Sequence, residues 1–248
     1  MNDEILIKIN DGLSLIQKKD GLTFGSDAYL LAAYMRRQPG ARAADLGSGT
    51  GVIPLLALSK DKAASFDAVE AQADFADLIT RNAEQNGFAE RLFSVCADVR
   101  ELGAEFNCRY DAVTSNPPYM KVAGKRNESE RKYIARHEVL GGINDFCNAA
   151  AKLLRHGGLF YVVWRPDRLS GLMSALSGAK LEPKRITFVH SRSELPPCLV
   201  LCEAKKLASP GVYVTPPLIM YSDAKGSYTP DLAYIYETGD FNEHFKRP

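Results

Sequence analysis

ARAADLGSGTGVIP, residues 41–54, runs a short apolar stretch into an aspartate and three glycines at alternate positions, then into VIPLLALS. Asp45, Gly47, Ser48, Gly49 and Gly51 therefore fall where a strand turns into a helix, and glycines there leave the backbone open to close approach by a ligand. Working outward, SFDAVEA (65–71), ADFADLITRNAEQNG (73–87) and RLFSVCAD (91–98) complete a strand–helix–strand–helix–strand series. YDAVTSN (110–116), a helix through INDFCNAAAKLLRHGG (143–158), GLFYVVW (158–164), a helix through RLSGLMSALSGAK (168–180), KRITFVH (184–190) and CLVLCEAKK (198–206) extend it. This order predicts an α/β fold: seven strands in a mostly parallel sheet, helices on both faces, and a ligand crevice at the strands' carboxyl ends.

Before that core, ILIKINDGLSLIQ (5–17) alternates around Asn10, Asp11 and Gly12, the pattern of an N-terminal β-hairpin. FGSDAYLLAAYMRR (24–37) changes period to that of a helix, with Ser26 or Asp27 as its cap. The expected organisation is a hairpin and helix over 1–40, the core over 41–206, and an extension of the same domain over 207–248. A short helix is predicted to begin there at Thr229-Pro230.

Composition excludes more than it identifies. With 31 Lys+Arg against 30 Asp+Glu among 248 residues, no overall basic coat exists, and nucleic-acid affinity would need local patches. One such patch is the net-basic stretch MKVAGKRNESERKYIARHE (120–138), with Lys121, Lys125, Arg126, Arg131, Lys132 and Arg136. No apolar run reaches membrane-span length and the N-terminus lacks a signal-peptide pattern, so a cytoplasmic location with no membrane partner is expected. Five scattered cysteines fit reduced thiols.

The glycine spacing separates cofactor classes. A dinucleotide fingerprint needs a small residue where Val52 stands, and a phosphate-binding P-loop needs a Gly-Lys-Ser/Thr ending that is absent. Glu70 ends the second strand of the series, where an acid can accept both hydroxyls of a ribose, and Asp98 ends the third. Acids at strand ends also serve as helix caps or solvated charges, so it is their joint occurrence that points to a site. The fourth strand ends in SNPPYM (115–120), whose prolines stop the strand and stiffen the turn.

D-x-G-x-G-x-G resembles motif I of the S-adenosylmethionine-dependent methyltransferases with the class I Rossmann-like fold. SNPPY resembles motif IV of the amino-methyltransferases, [DNS]-P-P-[YFW]. The order hairpin, TFGSDAYLLAAY, DLGSGTGVIPLLA, NPPY, ARHE, INDF and PGVYVTPPLIMY is similar to the tRNA1(Val) adenine N6-methyltransferase family, in its shorter Gram-positive-type relatives, over nearly the whole chain. The resemblance implies S-adenosyl-L-methionine as cofactor and S-adenosyl-L-homocysteine as product. It implies cofactor contacts from Phe24, Asp27, Asp45, Gly47, Ser48, Gly49, Gly51, Glu70, Asp98 and Asn116, and catalysis by Asn116, Pro117, Pro118 and Tyr119.

In that reading the Asn116 side-chain oxygen and the Pro117 carbonyl accept from an exocyclic amino group while Tyr119 stacks on the base. The implied partner is RNA, most of all tRNA near the anticodon, with the loop 121–136 over its phosphates. Two alternatives stay open: a protein glutamine N5-methyltransferase using the same motif on an amide, and a nucleic-acid-binding module without catalysis.

Overall fold

The computed structural model describes residues 4–10, 12–19, 25–118 and 141–246. Phe24, Tyr119, the basic loop 121–136, and His137 and Glu138 lie outside the described residues.

The hairpin forms as its alternation predicts: β1 (Glu4–Lys8) pairs antiparallel with β2 (Ser14–Lys18). Helix α1 (Ser26–Tyr34) follows. The core series is β3 (Arg42–Leu46), α2 (Val52–Ser59), β4 (Ser65–Glu70), α3 (Ala73–Gln85), β5 (Leu92–Cys96) and β6 (Tyr110–Ser115). Then come α4 (Ile143–Leu153), β7 (Leu154–Trp164), α5 (Leu169–Gly178), β8 (Leu181–His190) and β9 (Pro197–Lys206). The tail adds β10 (Tyr213–Val214), β11 (Leu218–Ile219) and α6 (Pro230–Thr238), which Thr229 caps by accepting from the Leu232 N–H.

The sheet order is β5-β4-β3-β6-β7-β9-β8, with β10 and β11 end to end along the outer edge of β8. Only β9 runs antiparallel to its neighbours. Strands buried on both faces explain the near-continuous apolar runs, and two apolar cores result, one under α1, α2 and the tail and the other under α4 and α5. Helix α2 is apolar all round and every residue from Val52 to Leu58 is buried.

Three expectations change. The sheet gains two short strands beyond seven, interrupted by Pro216-Pro217, which cannot donate to a ladder. The helix expected through residue 158 stops at Leu153, and Leu154–Gly158 already belong to β7. Gly157 has φ +75°, and a Cβ on Gly158 would lie 3.1 Å and 3.2 Å from the Arg155 and Asp111 carbonyl oxygens, so these glycines shape the strand entry. The alternation of CLVLC (198–202) would put Cys198 and Cys202 on one face of a strand, but the register slips by one where His190 pairs with Pro197, so Cys198 is exposed and Cys202 buried.

Helix α1 is held firmly, which matters for the site it delivers. At its C-terminal end, buried Lys62 donates to the Ala33 (3.1 Å) and Met35 (2.8 Å) carbonyls and pairs with Asp240. Beyond it, Arg36 makes a two-pronged pair with fully buried Glu203 of β9 (2.5 and 3.0 Å), which also holds Arg185 at 3.0 Å.

The hairpin is docked by two asparagines one turn apart on α3. Asn82 accepts from the Ile16 N–H (2.7 Å) and donates to the Ile16 and Thr50 carbonyls (3.0 Å each), while Asn86 brackets Ser14 in the same way (2.9 and 2.8 Å). Their amides satisfy the free edge of β2, and Asn82 ties that edge to the glycine loop. Asn82→Ala is expected to destabilise the fold by about 1–3 kcal/mol, because three part-buried backbone groups lose their partner. A urea midpoint corresponding to less than about 1 kcal/mol of loss would contradict this role.

Candidate active site

The glycine loop leaves β3 at the reversal of strand order between β3 and β6, where an open α/β sheet forms its crevice. Register places the site's members in one row. Leu46 pairs with Val69 on one side and Ser115 on the other, so Gly47, Glu70 and Asn116 are the next residues out on three adjacent strands. Glu70 in turn pairs with Cys96, two residues before Asp98.

Gly47, Gly49 and Gly51 have φ of +70°, +56° and +83°. At Gly47 a Cβ would press on Phe146 at 3.2 Å; at Gly49 it would meet none of the described residues within 4 Å. The loop is thus closed behind by α4 and open in front, a cradle that a side chain would fill. The Gly47 and Ser48 N–H groups both donate to the Val69 carbonyl (2.9 and 3.0 Å) and anchor the loop on β4.

Asp45 serves the loop from inside. Fully buried, it accepts from the Ser48 hydroxyl and from Thr114 of β6 (2.6 Å each), joining loop, β3 and β6. Burial, opposed by these hydroxyls, raises its pKa from 3.8 to about 7. Because the folded state then holds the proton more tightly than the unfolded chain, this aspartate favours folding fully below about pH 4. That contribution is lost as pH rises toward 7. Asp45→Asn is expected to remove this slope, roughly 1.4 kcal/mol per pH unit within the window. Chemical denaturation of both proteins from pH 4 to 7 checks it, and parallel curves would contradict it.

Glu70 is also buried. Its carboxylate oxygens accept from the Gly49 N–H and the Gln72 N–H (2.9 Å each), so it braces the cradle and keeps a lone pair on each oxygen for a diol. Burial pushes its pKa up while these backbone N–H groups pull it back. Asp98 sits differently. Arg100 takes both its oxygens (2.9 and 2.6 Å), and the Arg100 N–H adds a third bond to Oδ1, which holds the carboxyl below its ordinary range.

Asn116, half-buried, meets Asp27 across the edge: its Nδ2 donates to Asp27 Oδ2 at 2.8 Å, and Asp27 Oδ1 accepts from the Ala28 N–H at 2.9 Å. The N-cap position of α1 is Gly25 and not Ser26 or Asp27; Asp27 does accept from a free N–H of the first turn, and its other oxygen partners the asparagine after the fourth strand. A carboxylate only accepts, so it dictates which way the Asn116 amide faces: the NH2 turns to Asp27, and among the described residues nothing donates to Oδ1. Pro117 is buried and Pro118 half-buried beside it.

The methyltransferase small domain family model matches residues 18–177. The chain belongs to that family. This methyltransferase is 30% identical over 180 residues to the tRNA1(Val) (adenine(37)-N6)-methyltransferase of Bacteroides fragilis, covering 72% of this chain and 75% of that protein. It is 33% identical over 161 residues to the protein of the same name from Enterobacter sp. strain 638, covering 59% and 65%. Its fold is similar to that of a predicted O-methyltransferase from Agrobacterium tumefaciens, with a TM-score of 0.71 at 23% identity over 87% of this chain and 98% of that one. M. jannaschii TYW2 in complex with AdoMet gives a TM-score of 0.57 at 13% identity, over 83% and 86%.

As a member, the protein is an S-adenosylmethionine-dependent methyltransferase. Among the described residues no helix is long and apolar enough to cross a membrane, and no group of three or more His, Cys, Asp or Glu could hold a metal.

Two functional side chains escaped the sequence reading. Asn82 links the hairpin to the glycine loop; its signal was a polar residue on the apolar stripe Phe75, Leu78, Ile79, Ala83 of α3. Arg100 was the other, and a cation two residues from the acid it pairs with was the available clue.

Proposed function

We propose that this methyltransferase transfers the methyl group of S-adenosylmethionine to the exocyclic N6 of an adenine in RNA, a tRNA near its anticodon. The observation that carries the reading is the Asp27–Asn116 bond, which leaves the Asn116 oxygen at the sheet's switch point as an acceptor of fixed orientation. An adenine amino nitrogen has its lone pair delocalised into the ring. Accepting from its N–H bonds at Asn116 Oδ1 and the Pro117 carbonyl localises that pair as the bond to carbon forms.

When bound, S-adenosylmethionine would supply a methyl group already activated on a sulfonium and leave as S-adenosylhomocysteine, so the chain's residues need only position the nitrogen and accept its N–H hydrogen bonds, the methylated nitrogen then losing one proton to water. Gly49 and its open neighbourhood would take the methionine part, Glu70 the ribose hydroxyls, and Asp98 the cofactor's adenine amino group through the capacity Arg100 leaves it. The names of the curated relatives support N6 of adenine over a glutamine amide as acceptor.

Purified protein with labelled S-adenosylmethionine and unmodified bacterial tRNA should yield N6-methyladenosine on nucleoside analysis. Label absent from tRNA and from every other RNA fraction would overturn the reading, and label in a release-factor glutamine would replace it.

A further inference from the structure

Tyrosines crowd one flank of the site. Tyr29 of α1 packs edge-on against Tyr236 of α6 (centroids 4.6 Å, 63°) and donates its hydroxyl to the Tyr236 carbonyl (3.1 Å). Tyr236 lies tilted against Tyr228 (5.2 Å, 34°), and Tyr228 against Tyr221 (6.0 Å, 38°), whose backbones also bridge. Four rings thus form a continuous ladder. Packing accounts for Tyr29 and Tyr236, which are half-buried, but Tyr228 remains 55% exposed. A large ring held by neighbours yet open to water is arranged to receive something flat.

Topology puts the ladder on the acceptor's side. Tyr29 shares the first turn of α1 with Asp27, the partner of Asn116, so both stand at the end of the helix that meets the fourth strand. β11 runs parallel to the end of β8, and Tyr221 donates its N–H to the Ser191 carbonyl, so the outer rung reaches the same edge of the sheet where Asn116 ends β6. The cofactor groups occupy β3, β4 and β5; the ladder lies past β6, across β7, β9 and β8.

Charge decides the chemistry. Among the described residues just beyond β7 and β8, Arg165 and Arg192 are paired with Asp167 (3.0 Å) and Glu194 (3.1 Å), Arg168 lies over the Trp164 ring, and the turn between Tyr221 and Tyr228 carries both Asp223 and Lys225, so the described part of this flank has little net charge for phosphate. Ring faces are what it offers. Unpaired RNA bases are read by stacking on such rings, and a ring already fixed by its neighbours loses little freedom when a base lands.

We propose that the Tyr29–Tyr236–Tyr228–Tyr221 ladder is a stacking platform on which Tyr228 receives an unpaired base of the RNA substrate flanking the site, on the acceptor's side of the sheet edge. This rests on RNA as the substrate.

The test compares wild type, Tyr228→Ala and Tyr228→Phe in steady-state methylation of unmodified tRNA. Tyr228→Ala should raise KM for tRNA by about 5- to 100-fold and Tyr228→Phe by less than about twofold, since stacking needs the ring and not the hydroxyl. kcat and KM for S-adenosylmethionine should stay within about twofold. The slope of log KM against log salt should not change, because no phosphate contact is removed.

Photocrosslinking of iodouracil-substituted tRNA to the wild-type protein should place an adduct on Tyr228 or Tyr221, a readout independent of how the variants fold. A wild-type KM in Tyr228→Ala, equal damage in Tyr228→Phe, or adducts confined to other faces would overturn the platform. If the wild type itself methylates no RNA, it is the proposed substrate that fails, and protein acceptors become the next candidates.

Discussion

Asn116→Ala is expected to lower kcat by about 100- to 1,000-fold while the dissociation constant for S-adenosylmethionine moves by less than about threefold. In the proposed mechanism the side chain supplies one of two acceptors for the substrate's amino group, and removing one member of a preorganised pair around developing charge costs on that scale. The fold should survive. The side-chain partner of Asn116 among the described residues is Asp27, which keeps its bond to the Ala28 N–H, and the rest of the row is braced through Asp45, Thr114, Ser115 and Glu70. Single-turnover methylation of saturating tRNA, with cofactor affinity from titration calorimetry, separates the two quantities. A kcat loss below about tenfold would remove Asn116 from the chemistry.

Asp27→Ala should lower kcat by about 10- to 100-fold, the scale of one hydrogen bond to a charged partner, although Asp27 need touch neither substrate nor the reacting carbon. Its effect runs through Asn116. Without the carboxylate the amide turns freely, and in the turned state it offers an N–H to a nitrogen that itself carries N–H bonds. Asp27→Asn restores an acceptor but also brings a donor, so an intermediate rate is expected.

A purely structural role predicts another pattern. An acid in the first turn of α1 contributes about 0.3–1 kcal/mol to the helix, which would lower thermal stability and leave kcat alone. A normal kcat with reduced melting temperature in Asp27→Ala would therefore sink the positioning role.

Much of this arrangement was legible along the chain because it depends on local rules. Glycine at 47, 49 and 51 announces positive φ, prolines at 117 and 118 announce the end of a strand, and alternating apolar runs announce the sheet. Glu70 ends β4 as the strand pattern predicts, whereas Asp98 lies two residues beyond β5, which stops at Cys96. Partners distant in sequence are another matter. Asp27 and Asn116 are 89 residues apart, Tyr29 and Tyr236 are 207, and Asn82 reaches back 66 to Ile16. Asp27 accepts from the first-turn Ala28 N–H, as a local rule predicts, and its other oxygen makes the bond to Asn116 that no local rule contains.

The sequence by itself determined the class of sheet, the cradle and the identity of the groups that line it, because backbone sterics and hydrophobic period act over a few residues. Tertiary structure alone decided which way the Asn116 amide faces, that Asn82 of α3 ties the hairpin to the glycine loop, and that four tyrosines from α1 and the tail meet on the acceptor's side. Those outcomes depend on strand order and register, which bring distant residues within 3 to 6 Å only after the sheet has closed.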